Sequence, residues 1–175
     1  MDMEHEILFS ENRIAERLKV MAREIVAAPV RPQIAAPILV GAYVFASDLL
    51  RALAREGISL PTEFLWLRSY VGRAATRDVA VLIGPSENFR GKNVLLIDGV
   101  LDGGHTIMKA RELSLAAGAA SVQSAVVVDK ARKDAVAKAD YAAFVGVAEF
   151  IVGYGMDDAG KDRALPFIAK AGLGI

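Results

Sequence analysis

The stretch from Asn93 to Ile107, N-V-L-L-I-D-G-V-L-D-G-G-H-T-I, decides how the rest of the chain is read. Val94 to Ile97 is an unbroken apolar run of the length of a buried strand. It runs into two aspartates, Asp98 and Asp102, and then into Gly103-Gly104-His105-Thr106. Ile107 to Ala117 follows with a helical pattern. A strand that ends in carboxylates and opens through glycines into a helix N-terminus suits a phosphorylated sugar. The free backbone N–H groups and the helix dipole favour phosphate, while carboxylates can hold Mg²⁺ or sugar hydroxyls. A turn acid followed by a helix cap would use the same two aspartates, so other segments must agree before chemistry is assigned.

The flanking sequence supplies an alternation of strands and helices. Ser10 is a candidate cap for an amphipathic helix over Glu11 to Val26, with Ile14, Leu18, Met21 and Ile25 at helical spacing. Pro29, Pro32 and Pro37 mark an irregular connection before a short buried strand, Ile38-Leu39-Val40, that ends at Gly41. Tyr43 to Arg55 reads as a helix stopped by Gly57. Glu63 to Ser69 and Val79 to Ile83 read as strands around a polar stretch from Tyr70 to Thr76. Ser121 to Asp129 is a further strand, and Tyr141 to Val147 and Phe150 to Val152 are apolar. Such alternation predicts an α/β fold, one domain over residues 1–175, with a mostly parallel sheet and helices on both faces. Ligands of these sheets bind at the carboxyl ends of strands, where Gly41, Asp98 and Lys130 are expected.

Composition narrows the class. Hydrophobic residues form 54% of the chain and charged residues 24%, which argues against disorder. Basic and acidic residues balance at 21 each, so no global field would draw nucleic acid or an anionic membrane. Cysteine is absent, excluding disulfides and thiolate chemistry. The acidic start M-D-M-E-H-E carries no apolar signal core, and no run approaches membrane-spanning length. A soluble, cytoplasmic protein is expected.

With these elements in order, the chain resembles the type I phosphoribosyltransferases, most closely the hypoxanthine–guanine kind. The likeness lies in I-L-F-S-E-N-R-I-A-E-R-L, L-V-G-A-Y-V-F-A-S-D-L-L from Leu39, L-R-S-Y from Leu67, G-K-N-V-L-L-I-D-G-V-L-D-G-G-H-T from Gly91, V-V-V-D-K from Val126 and F-I-V-G-Y-G-M-D from Phe150. It implies a parallel sheet flanked by helices, with a small hood built from the N- and C-terminal segments. It also implies Mg²⁺, phosphoribosyl pyrophosphate and a purine base as ligands, and assembly into homodimers or homotetramers.

Residue by residue, the resemblance makes Asp102 the catalytic aspartate near N7 of the base. Asp98, Gly99 and the loop from Gly103 through Gly104 and His105 to Thr106 would hold the ribose and its 5′-phosphate. Val40, Gly41 and Ala42 would form the pyrophosphate loop, expected to use a strained peptide bond, with Arg163 a further contact. Lys130 would donate to the exocyclic oxygen of a 6-oxopurine, Phe150 would stack on the base, and Ile151 would read its edge through the backbone. Asp157 would stand near the base and, with Asp98, near metal. Ser69 and Tyr70 would begin a mobile loop that closes over the site.

Three positions depart from the family pattern. Gly99 stands where a second acid normally follows the first, Gly103 replaces a threonine, and Val40 replaces a lysine found in many members. Each lost hydrogen bond to a charged group is worth about 1.5–3 kcal/mol, so two or three uncompensated losses lower binding by about 10²–10⁵-fold. A nucleotide-binding regulatory protein without catalysis, or an enzyme for another base, are the rival expectations. Single residues have plain alternatives as well. Lys130 is by default a solvated lysine, Phe150 a core aromatic, and Trp66 with Phe64 a packing face in the core or between subunits.

Overall fold

Strand and helix follow from two periodicities in the sequence. In the computed structural model, which describes residues 6–69 and 79–171, the order is β1 (Glu6–Phe9), α1 (Glu11–Ala27), β2 (Ile34–Leu39), α2 (Tyr43–Arg55), β3 (Leu65–Ser69), β4 (Val79–Ile83), β5 (Asn93–Leu101), α3 (His105–Ala116), β6 (Ser121–Asp129), β7 (Tyr141–Val145), β8 (Ile151–Val152) and β9 (Ile168–Lys170). A six-stranded sheet in the order β4-β3-β2-β5-β6-β7 is parallel throughout except for the antiparallel β3–β4 pair.

Side chains of the central strands alternate between two cores, as a period of two requires. Ile34, Ala36 and Ile38 of β2, with Val94 and Leu96 of β5, pack on the α3 side beside Ile107 and Phe89. Ala35, Leu95 and Ile97 face the opposite side, against Ile14, Leu18, Met21 and Ile25 of α1 and Phe45, Leu49 and Leu53 of α2. Each fully buried large apolar side chain contributes about 1.5–3 kcal/mol, which holds the layers together. Ser10 caps α1 by accepting from the Arg13 N–H, and Gly57, at φ +88, lets the chain leave α2.

A second, three-stranded sheet in the order β1-β9-β8 is antiparallel and draws on both ends of the chain. It is tied to the edge of the main sheet by Phe9, whose ring stacks on Phe144 at 3.7 Å, with the Arg13 guanidinium 4.9 Å above Phe9. Arg17 of α1 donates to the carbonyls of Ala143 and Ala142, fixing the same edge.

Several elements differ from the expected bounds. β2 begins at Ile34 rather than Ile38, so Pro37 lies inside a central strand, paired with Ile97 of β5. On the β3 side the pairing is interrupted at the proline: Ala35 bridges Thr62, and the ladder resumes at Ile38–Leu65, so the missing N–H falls in the gap. Val40 falls outside the strand and is exposed. β5 continues through Asp98 to Leu101, so Asp98 is a strand-interior residue rather than a strand end. α3 starts at His105, β7 stops at Val145, and β1 was not expected as a strand. The core face of β3 carries Leu65 and Leu67, while Phe64 is 48% exposed; Phe64 and Trp66 are therefore not core residues.

Candidate active site

Parallel strands share their carboxyl ends, and here β2, β5 and β6 deliver Val40-Gly41, Asp98 to Asp102 and Lys130 to one edge of the sheet. The C-terminal stretch crosses the same edge. Together they enclose a cleft of about 390 Å³ lined by Val40, Gly41, Asp98, Gly99, Asp102, Thr106, Lys130, Phe150, Ile151, Asp157 and Arg163. A smaller adjoining cavity, about 280 Å³, is lined by Asp98, Asp102 and the loop Gly103 to Thr106. Residues placed up to 123 positions apart in sequence thus meet at one site.

The turn after β2 is built by backbone hydrogen bonds from the Ala42 N–H to Ile38 O and from the Tyr43 N–H to Val40 O, both 3.3 Å. The Leu39–Val40 peptide bond is cis. Ala42 is fully buried, so only Val40 and Gly41 of this loop reach the cleft. Behind them Gly155, at φ +101, approaches so closely that a Cβ there would run into the Gly41 carbonyl oxygen. Only glycine meets both demands.

Asp98 sits at the cleft floor, where burial pushes its carboxyl up to about 7; the Gly99 N–H, donating to Oδ1 at 2.7 Å, opposes that shift. A carboxyl with such a value changes charge near neutral pH. Beside it, a Cβ on Gly99 would meet the Gly41 carbonyl oxygen at 3.2 Å and Met156 Cγ at 3.6 Å. The place of a second acid is therefore bounded by backbone and by a methionine.

Asp102 is half exposed and sits between two cations. Arg132 donates to Oδ1 at 3.1 Å, and Lys130 Nζ lies 4.0 Å from Oδ2. Arg132 is itself held by both carboxylate oxygens of Asp134, at 3.0 and 2.8 Å. Lys130 is not the solvated lysine of the default reading: its side chain is 14% exposed, and its N–H donates to Leu101 O. The loop into α3 turns at Gly104, whose φ is +82 and whose Cβ position is 2.8 Å from the Ala137 N. The loop Gly103 to Thr106 lines the small cavity where α3 begins, and the positive end of a helix favours an anion.

On the opposite wall Asp157 pairs with Arg163 at 2.6 Å and accepts from the Gly160 N–H at 2.6 Å. Arg163 also donates to Gly155 O at 2.7 Å. Phe150 is 59% exposed, a ring presented to the cleft rather than packed in the core, while Ile151 beside it is buried. Ser69 ends β3, and Tyr70 lies outside the described residues.

Arg132, Met156 and Arg68 line or brace the cleft and were not expected there. Arg132 belongs to A-R-K-D, a charged stretch that reads as a solvated surface; its spacing of two from Lys130 was the one available signal. Among the described residues no cluster of three or more histidines, cysteines or carboxylates could hold a metal ion. Asp98 and Asp157 are one carboxylate from each wall. Such a pair fits Mg²⁺ carried in largely by substrate phosphates and water, not a resident ion in a protein cage.

Comparison with known proteins agrees with this geometry. The family model described as phosphoribosyl transferase domain matches residues 6–159. Hypoxanthine phosphoribosyltransferase of Escherichia coli (strain K12) is 31% identical over 170 residues, covering 94% of both chains. Hypoxanthine-guanine phosphoribosyltransferase of Dictyostelium discoideum is 29% identical over 172 residues, covering 96% of both. Among solved structures, hypoxanthine phosphoribosyltransferase from Trypanosoma cruzi in complex with the product IMP superimposes with a TM-score of 0.87 at 25% identity, covering 99% of this chain and 98% of that one. Sheet order, cleft and relatives lead to one assignment: the chain belongs to the phosphoribosyltransferase family and is most like its hypoxanthine and hypoxanthine–guanine members.

Proposed function

We propose that the chain is a purine-salvage glycosyltransferase. It moves the 5-phosphoribosyl group from phosphoribosyl pyrophosphate to a 6-oxopurine, hypoxanthine or guanine. A purine nitrogen forms the new bond to C1 of the ribose as the bond to pyrophosphate breaks, giving a nucleoside monophosphate. The observation that carries this reading is the meeting of Asp102, Lys130, Phe150 and the Gly103–Thr106 loop around adjoining cavities.

Each group has a task that its position supports. Phe150 offers a ring face for the base, and Lys130, close to the strand end, donates to the exocyclic oxygen. Asp102, oriented by Arg132 through Oδ1, keeps Oδ2 toward Lys130 and accepts from N7 of the base. The Gly103–Thr106 loop at the start of α3 holds the 5′-phosphate. Gly41 presents its backbone to pyrophosphate, and Asp98 lies where positive charge develops on the ribose. When bound, Mg²⁺ would balance the charge of the pyrophosphate, held by Asp98 and Asp157. The small β1-β9-β8 sheet serves as the hood of a single domain. Assembly into two or four copies belongs to the same reading, as does a cytoplasmic setting; no helix among the described residues is long and apolar enough to cross a membrane.

Incubation of the purified protein with phosphoribosyl pyrophosphate, Mg²⁺ and hypoxanthine, guanine or xanthine tests the proposal. Nucleotide should accumulate with enzyme concentration; none above background at high enzyme would sink it. A second reading, a nucleotide-binding regulator without turnover, is favoured by the space beside Gly99, which Met156 and the Gly41 carbonyl bound where an acid would stand. Tight nucleotide binding in calorimetry, with turnover absent under every metal tried, would select it.

A further inference from the structure

The turn after β8 carries a residue that its backbone does not favour. Gly153 and Met156 exchange both N–H to O bonds at 3.0 Å, closing a two-residue turn over Tyr154 and Gly155. Both central residues have left-handed φ, +52 and +101, as the tightest hairpin turns require. Glycine or asparagine ordinarily fills such positions, and a bulky aromatic is rare there. Gly155 meets the demand. Tyr154 does not, so contacts outside the turn must hold it.

Its side chain supplies them. Tyr154 is 4% exposed, and its OH donates at 2.6 Å to Oδ2 of Asp48, 106 positions away on α2. Burial, and then the bond to Asp48, push the phenol above its ordinary value, so it remains a donor across the working pH range. Asp48 Oδ1 accepts from Arg51 on the same helix. Tyr154 and Asp48 wall the cavity of about 490 Å³ between α1 and α2, and neither lines the cleft. Their neighbours do. Val40 and Gly41 lead into α2, and Met156 and Asp157 follow the turn. Between them a Cβ at Gly155 would fall on the Gly41 carbonyl oxygen and 3.8 Å from Val44 Cβ. We infer that Tyr154 is a positioning residue for pyrophosphate: through Asp48 it clamps the turn to α2, and so seats Gly155 against Gly41 and fixes the loop that meets the leaving group. The base wall is held separately, by pairing of Ile151 and Val152 with β9. This inference rests on the phosphoribosyl reading of the cleft.

Calorimetry of the full chain with phosphoribosyl pyrophosphate and Mg²⁺, and with inosine 5′-monophosphate, tests it. The two ligands share ribose and 5′-phosphate and differ in carrying pyrophosphate or base. Tyr154→Phe keeps the ring and should weaken phosphoribosyl pyrophosphate by about threefold to tenfold, the worth of one hydrogen bond, while the nucleotide changes by less than about twofold. Asp48→Ala removes the same bond from its other end and should give the same selective loss. The double variant should be no weaker than either single one, because both remove one interaction. Asp48→Asn retains an acceptor and should recover most of the loss, and Arg51→Ala, which leaves the phenol bond in place, should change neither affinity. Unchanged affinity for phosphoribosyl pyrophosphate in both single variants, equal losses for the two ligands, or additive losses in the double variant would overturn the role of Tyr154 alone. A wild-type protein that binds neither ligand would overturn the phosphoribosyl reading, and this inference with it.

Discussion

Asp98→Asn should stabilise the metal-free protein above neutral pH and leave it close to wild type in mild acid. The folded carboxyl is pushed up to about 7 by burial, against which only the Gly99 N–H acts. An aspartate in the unfolded chain titrates near about 3.9. The folded state therefore holds this proton more tightly than the unfolded state does. Its contribution to stability is present in full below about pH 4 and is lost as pH rises through about 7. Three units at about 1.4 kcal/mol each set a ceiling of about 4 kcal/mol. Asp98 keeps part of its surface in the cleft, and solvent there lowers the expected figure to about 2–3 kcal/mol. Urea unfolding of both proteins, in buffer containing a chelator, at about pH 5 and about pH 8.5 measures it. About a third of the effect is already present at pH 5, so the stability difference should move toward the asparagine variant by about two thirds of that amount, about 1.5–2 kcal/mol, between the two conditions. A difference that stays within about 0.5 kcal/mol across the range would refute the buried, proton-holding carboxyl.

Other substitutions probe the remaining walls of the cleft. Asp102→Asn should lower turnover by at least about 10²-fold while changing nucleotide affinity much less, because its acceptor matters most when the base reacts; equal losses in kcat and in binding would remove its role. Gly155→Ala forces a Cβ into the Gly41 carbonyl at a left-handed φ, so a loss of more than about 2 kcal/mol in urea unfolding is expected, with weaker pyrophosphate binding. Gly99→Asp requires a shift of only a few tenths of an ångström from the Gly41 carbonyl and carries no left-handed strain. Turnover should rise about tenfold, the worth of one charge-assisted hydrogen bond; no rise in a folded variant would show that the missing acid does not limit the enzyme.

The helices and most strands were legible because their periodicities are strong: Tyr43–Arg55, Val79–Ile83 and Ser121–Asp129 have the expected bounds. Pro37 misled the reading of β2, since a proline is tolerated in a central strand only where the neighbouring pairing is interrupted, here between Ala35–Thr62 and Ile38–Leu65. Asp98 was placed at a strand end because a charged residue rarely lies inside a buried strand; the raised carboxyl value is the physical cost of that exception. The cleft residues with sequence-local logic, Asp102 and the Gly103–Thr106 loop, could be found from spacing and chemistry. Arg132 and Met156 could not, because each reaches the site only through tertiary packing. β1 was missed for a related reason: four residues make a strand only when β9, some 160 positions later, supplies the ladder.

A crystal structure of the protein with inosine 5′-monophosphate would test the central claim, that one cleft joins a phosphoribosyl site to a purine pocket. The 5′-phosphate should lie on the Gly103–Thr106 loop, with the ribose beside Asp98. The base should stack on Phe150, its exocyclic oxygen facing Lys130 and N7 facing Asp102. A nucleotide bound elsewhere, such as the cavity of about 490 Å³ between α1 and α2, would contradict that claim. So would one in the cleft with its base turned away from Lys130 and Asp102.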